Sequence, residues 1–458
     1  MGNTFAYAVL IIWPVLSIYW YQTKSIQRAT IWTLLGGFMF LPVRTEIDFP
    51  MIPAMGKHTI PALSALVGCY LIRGQRISYI RGLGKAKYLV AILLTVPLIT
   101  ASLNGDAIIV AGRILKGLDY YDGLSFAINQ FLIVVPFFIG REVFKTYADQ
   151  LLMFKALVVA GLFYSMLMLF EVRMSPQLHT WVYGYFPHSF AQQMRSGSFR
   201  PVVFMGHGLL VSFFSTIAFV SAIALWNNRV RFNLFIGKSV SCYLFVVLML
   251  CKSYASIMYG VLVFLLIIKT KVKNQSRIAI ILMSFAMIYP IISITKIFPD
   301  QIVINLATSI NKDRADSLKF RFDNEDVLLS HGRERLFFGW GGWGRNRVYN
   351  EVTGKDQFVT DGHWIITFGQ FGLIGFFAEF GLLAVAILRA RQAIKLMKLE
   401  SEQKLLSAHM LVVAIIMIDQ LPNSSLAPWL WLLAGILLGR SESVIATNKD
   451  SRLLTKQK

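Results

Sequence analysis

The chain is poor in charge, and poorest in negative charge. Only 15% of its 458 residues are charged and only 24 are acidic, and no stretch is marked off as a soluble domain. Its three cysteines, Cys69, Cys242 and Cys251, fall inside or at the ends of apolar segments. That placement excludes a disulfide framework and offers no metal-ligand spacing. There is no P-loop, no dinucleotide-binding glycine fingerprint and no pair of histidines at helical spacing. Neither a cofactor nor a metal is expected. The first segment lacks the charged start and small-residue cleavage site of a signal peptide, and is expected to be a retained helix.

What the chain does have is apolar sequence. Hydrophobic residues make up 56% of it, aromatics 14%, and its mean hydropathy is +0.58. Thirteen apolar segments can be counted, from Phe5–Tyr21 to Pro428–Gly439. The expected fold is therefore all-α: a polytopic membrane protein of 12–14 transmembrane helices. The expected division is ten helices over residues 1–296, a large hydrophilic loop over 297–363, three helices over 364–440 and a basic tail over 441–458.

Orientation follows from Lys and Arg, because basic loops resist translocation. The loops after odd-numbered segments, with the tail, hold 26 basic residues against six acidic ones, whereas the other edge is nearly neutral. The net charge of +21 is thus a topology signal and no argument for nucleic-acid binding. The basic edge is expected in the cytoplasm. The large loop then lies outside, in the periplasm of a Gram-negative host. With no nucleotide site, a catalyst acting outside needs a substrate that arrives activated, such as a lipid diphosphate. Glycosyl transfer from such a donor needs cations for the leaving group, a base for the acceptor hydroxyl and a groove for sugars.

Candidates for each part lie on that outer edge. Arg195 and Arg200 precede His207, with Pro201 and Gly206 between them. Arg200 either grips a phosphate through its guanidinium fork or snorkels to the interface. Lys252, in the short turn Cys251-Lys252-Ser253-Tyr254, either faces an anionic substrate or sits beside lipid headgroups. In the large loop, residues 313–330, which include Arg314 and Arg321, are compatible with an amphipathic helix lying on the membrane surface or on the helix bundle. The run FFGWGGWG at 337–344 offers four glycines for close backbone approach, with Trp340 and Trp343 to stack on sugars. Arg345 and Arg347 follow, and either bind phosphate or solvate the loop. His363 closes the loop, where an imidazole can serve as a base.

Two acids lie within apolar segments. Asp419 stands at the outer end of segment twelve, level with His363. Glu379 lies about fifteen residues into segment eleven, ~22 Å down a straight helix, and is expected to be a structural partner or a paired polar residue far from the site.

The order of these features resembles the O-antigen polymerase and ligase superfamily of bacterial envelope glycosyltransferases. The elements are an Arg-rich loop ahead of a helix, the turn and helix KSYASIMYG, one long outer loop with an internal arginine, FFGWGGWG, a terminal His and then GQFGLIGF. The resemblance covers roughly residues 195–439. It implies a GT-C-like, metal-independent enzyme of the bacterial inner membrane. Its substrates would be an undecaprenyl-diphosphate-linked oligosaccharide donor and a glycan acceptor, with a chain-length regulator and a flippase as possible partners. It also implies functional roles for the loop-end histidine, His363, the aspartate Asp419, and an early-loop arginine, Arg321 with Arg314 as competitor. The family's other arginine usually sits in a Ser-Arg-small turn, whereas this turn reads Lys-Ser-Tyr-Ala, making Lys252 the nearest cation. The expected function is polymerisation of lipid-linked repeat units into exopolysaccharide or O-antigen, inverting at the anomeric carbon. The alternatives are an O-antigen ligase acting on lipid A core and, in another class, a transporter or flippase for a lipid-linked glycan.

Overall fold

The computed structural model describes residues 2–49, 52–195, 197–230, 237–310, 312–356 and 361–456. The side chains of Phe49, Ile52, Arg195, Ala307, Ile310, Asp313 and Arg314, and those of residues 451–456, lie outside the description. The chain is helical over 72% of its length. Among the described residues the strands are confined to three short antiparallel hairpins, Ile47–Phe49 with Ile52–Met55, Ile108–Val110 with Arg113–Leu115, and Met194–Arg195 with Ser198–Phe199.

Among the described residues nine helices are long and apolar enough to cross a membrane, against the thirteen spans expected. The other four apolar segments are helical but short or broken. Thr59–Ile72, Gly237–Leu250 and Tyr254–Lys269 are short, and the second segment is interrupted by a π-helical turn at Trp32–Gly36.

This is the build of a helical membrane protein, with large apolar side chains on its outward faces. Ile11, Ile12 and Val15 on one helix, Phe163 and Met166 on another, and Ile281, Phe285 and Ile288 on a third are all exposed. The most enclosed helix is Gly208–Asn227, whose buried Ser212, Ser215 and Ser221 hydroxyls each return a hydrogen bond to the carbonyl four residues earlier. A hydroxyl in an apolar interior needs such a partner, and the preceding turn supplies it. Small residues bring backbones together elsewhere. In the Pro428–Lys456 helix, a Cβ at Gly435 would lie 2.1 Å from the Phe137 carbonyl oxygen, and one at Gly439 2.3 Å from that of Arg141.

The helix expected at 313–330 exists as Lys312–Glu334, preceded by a second helix, Asp300–Ile310, that the sequence reading missed. Leu328 and Leu329 bury its contact face, and Tyr289 of the neighbouring Val272–Ile294 helix donates to Glu325 at 2.8 Å.

The decisive departure from expectation is in His363–Leu396. This run is two helices joined at Gly372, whose φ of 66° and ψ of −169° are not helical. A broken helix leaves carbonyls on one side of the break and N–H groups on the other without partners, which is costly in an apolar setting. The glycine-rich segment supplies them. Trp340 N–H and Gly341 N–H donate to the Gly369 and Gln370 carbonyls at 2.8 and 2.9 Å. Leu373 N–H and Ile374 N–H donate to the Leu336 and Phe337 carbonyls at 2.9 and 3.3 Å. Gly339, at φ 66°, permits this approach, since a Cβ there would meet the Gln370 backbone at 2.5 Å.

Candidate functional site

The break brings His363 and Glu379 together. The Glu379 carboxylate accepts from His363 Nε2 at 2.9 Å through Oε1, and from the Thr367 hydroxyl at 2.8 Å through Oε2. The expectation that Glu379 lies far below the site is thereby overturned, because it assumed a straight helix. Glu379 is 3% exposed, and Thr367 sits one turn after His363. With the carboxylate taking the Nε2 proton, the Nδ1 lone pair of His363 is left as the acceptor.

His363 and Glu379 line a cavity of about 510 Å³. Its other walls carry amides and an aromatic: Asn129 and Gln130 from the Tyr120–Val143 helix, and Trp343 with Arg347 from the glycine-rich loop. Trp343 is 64% exposed and donates its indole N–H to Asp122 at 2.8 Å, which fixes its plane at the rim. Arg347 pairs with Asp356 at 2.6 Å. Planar aromatic faces and amides that both donate and accept suit polyhydroxylated ligands.

A second cavity, of about 280 Å³, holds Arg321 and Asp419 together with Arg44, His188, His207 and Asp361. The segments 43–46, 361–363 and 422–426 contribute to both cavities. Asp419 is buried, accepting from Asn423 at 2.8 Å and Ser425 at 2.7 Å. The turn it organises caps the His363 helix, since Asn423 and Gln420 carbonyls accept from His363 and Trp364 N–H at 3.0 and 3.3 Å. Arg321 donates to the Pro422 carbonyl of this turn at 2.7 Å and lies 3.8 Å from Asp361. Burial pushes the Asp361 carboxyl above its usual range, and Arg321 opposes that shift.

The remaining expected site residues stand elsewhere. Trp340 is buried, stacks on His331 at 4.4 Å, carries the Arg335 guanidinium over its ring and donates its indole N–H to the His331 carbonyl. It builds the loop and has no face left for a sugar. Arg345, 1% exposed, donates to the Asp106 and Lys116 carbonyls at 2.8 and 3.2 Å and clamps the 108–115 hairpin to the loop. Desolvation holds its pKa below the usual arginine value. Arg200 is buried, with its Nε donating to the Cys251 carbonyl at 3.4 Å, and Lys252 follows at φ 52° in that turn. Neither lines either cavity. Arg314 lies on the Lys312–Glu334 helix, but its side chain lies outside the described residues.

Sequence reasoning also missed several wall residues. Asn129-Gln130 in the middle of an apolar segment is the kind of intramembrane polar pair that marks a site, and was the one available signal. Arg44 and Glu46 left none. Among the described residues no group of three or more His, Cys, Asp or Glu side chains is placed to hold a metal ion. No family model and no curated protein matches the chain.

Proposed function

We propose that the protein is a membrane glycosyltransferase that polymerises lipid-diphosphate-linked oligosaccharide units on the outer face of a bacterial inner membrane. The observation that carries this reading is His363, oriented by buried Glu379, in an amide- and aromatic-lined cavity that shares walls with a cation-lined one. The charge asymmetry between the two edges supports an extracytoplasmic position for both cavities.

In this mechanism the acceptor glycan lies against Trp343, Asn129 and Gln130. The Nδ1 atom of His363 takes the proton of the attacking hydroxyl, and that oxygen forms a bond to the anomeric carbon of the donor sugar. The bond from that carbon to the diphosphate oxygen breaks, the electron pair leaves with the diphosphate, and Arg321 stabilises its charge. Attack opposite the leaving group inverts the anomeric centre. Asp419 acts through the turn that seats His363 and Arg321.

Replacing His363 or Arg321 by alanine abolishes polymer in cells at unchanged protein level; unchanged chain length rejects their roles. A deletion strain should accumulate single-unit lipid-linked glycan. Finished glycan left unattached to lipid A core would identify a ligase instead. The broken helix beside the cavities also fits a transporter, since such helices line transport sites; that reading requires substrate stranded in the inner leaflet.

A further inference from the structure

The smaller cavity is built for more than Arg321. Arg44 reaches it from a strained backbone: its φ is 55°, a left-handed conformation that disfavours a residue with a Cβ. Strain of this kind persists only where neighbours over-determine it. Here the Thr45 hydroxyl bonds the Tyr185 hydroxyl at 2.9 Å, Tyr185 also donates to the Val43 carbonyl, and Tyr183 reaches the Phe40 carbonyl at 2.5 Å. The clamp fixes the chain on either side of Arg44. The guanidinium it presents has no hydrogen-bond or ion-pair partner among the described residues.

The cavity's acids do not neutralise it. Asp419 is committed to Asn423 and Ser425, and Asp361 to Arg321. Burial, and after it the charge of Arg44, holds the His188 imidazole below the usual histidine range. The rings of His188 and His207 meet edge to face at 4.6 Å on the same wall. His207 accepts the Leu209 N–H through Nδ1, so its ring proton sits on Nε2. It caps the twenty-residue Gly208–Asn227 helix, whose positive dipole end therefore faces the cavity.

We propose that this cavity seats a diphosphate, gripped between Arg44 and Arg321 with His188 and His207 as its wall, and that Arg200 and Lys252 take no part in holding it. Two guanidinium forks suit the paired oxygens of adjacent phosphates better than lysine point charges do. The identity of the physiological ligand, the donor's leaving group, rests on the glycosyl-transfer reading. The binding itself does not.

The test is calorimetric titration of inorganic pyrophosphate into the full-length protein in detergent micelles. One saturable site is expected, weakened at least tenfold by Arg44→Ala and by Arg321→Ala. Arg44→Lys should recover part of the loss, and Arg113→Ala, an exposed arginine on the 108–115 hairpin, should change nothing. Arg44→Gln keeps the side-chain volume and serves if the alanine variant fails to fold, with the melting temperature compared in each case. Absence of saturable binding, or wild-type binding by a folded Arg44 variant, overturns the site. Displacement of pyrophosphate by a polyprenyl diphosphate assigns the lipid-borne ester, whereas equal displacement by phosphatidylglycerol overturns the diphosphate assignment in favour of a phospholipid headgroup. Arg44-dependent binding in a protein that makes no polymer keeps this site and removes the glycosyltransferase reading; wild-type polymerisation by Arg44→Ala does the reverse.

Discussion

Alanine in place of Gly372 would have to put its Cβ 2.2 Å from both the carbonyl carbon and the oxygen of Phe337. Neither atom is the tip of a flexible side chain, so the Leu336–Gly341 segment must move. Movement endangers the four hydrogen bonds that satisfy the broken helix, at about 1 kcal/mol each. A backbone at φ 66° and ψ −169° is open essentially to glycine alone and adds about 1–3 kcal/mol for a residue with a Cβ. Gly372→Ala is therefore expected to cost roughly 5 kcal/mol of the bent form, enough to unfold the region or to straighten the helix. The readout is a His363→Cys/Glu379→Cys pair in a protein whose exposed Cys242 has been replaced, treated with a short thiol-to-thiol crosslinker and digested for mass spectrometry. In the bent helix the two side chains touch, whereas sixteen residues of straight helix would hold them ~24 Å apart, beyond the reagent. A crosslinked peptide is expected while Gly372 is retained and none once alanine replaces it. No crosslink in the glycine protein, or equal yield and unchanged melting with alanine, would refute the bend and with it the pairing of His363 with Glu379.

Other perturbations separate the parts of the site. Glu379→Gln keeps the volume but replaces an acceptor by a group that can donate, moving the His363 proton to Nδ1; turnover should fall roughly 10²–10⁴-fold with KM little changed, and ¹⁵N NMR of the imidazole should report the other tautomer, an unaltered tautomer ruling the explanation out. Trp343→Ala should raise KM for glycan without loss of stability, because the side chain is 64% exposed, whereas Trp340→Ala should cost about 3–5 kcal/mol and lower the yield of folded protein; the opposite pattern would exchange their roles. Burial pushes the Glu325 carboxyl up from 4.5 to about 7, against the hydrogen bonds from Tyr289 and Ser293. Below pH 4.5 Glu325 is neutral whether the Lys312–Glu334 helix is docked or not; from there to about 7 the undocked helix is ionised first, so docking should weaken as pH rises through that window and level off above it. Hydrogen exchange of this helix at pH 5 and 8 checks the slope, which Glu325→Gln should flatten.

The apolar runs of the chain made its helices legible, and each apolar segment does fall on a helix. Span number was less legible, because segments such as 239–251 and 255–268 are too short for composition alone to decide whether they cross. At the site, the sequence marked His363, Arg321, Asp419 and Trp343 as polar or aromatic residues at the edges of apolar runs, and all four do line cavities. It failed where a side chain's role depends on backbone path. Glu379 looked remote because depth was measured along a straight helix, although Gly369, Gly372 and Gly375 stand between it and His363. Arg44 gave no pattern at all: one arginine after an apolar segment reads as an ordinary interfacial charge, and only the clamp on the flanking backbone shows where it points.

The glycine-rich segment illustrates why composition misleads about roles. Two tryptophans and four glycines in eight residues read as a sugar-binding loop, yet only Trp343 has a face turned to a cavity. The rest answers a different physical demand. Placing a buried carboxylate beside a histidine at the start of the same helical run requires the helix to turn back on itself, and a turn within an apolar bundle strands backbone groups that no water can reach. Residues 336–341 fill that need with main-chain atoms, which only glycine at positions 339 and 372 lets come close enough. The loop is thus the second half of the histidine's environment: remove the close approach and the helix has no reason to bend, Glu379 moves away from His363, and the larger cavity loses its base without a single change among the residues that line it.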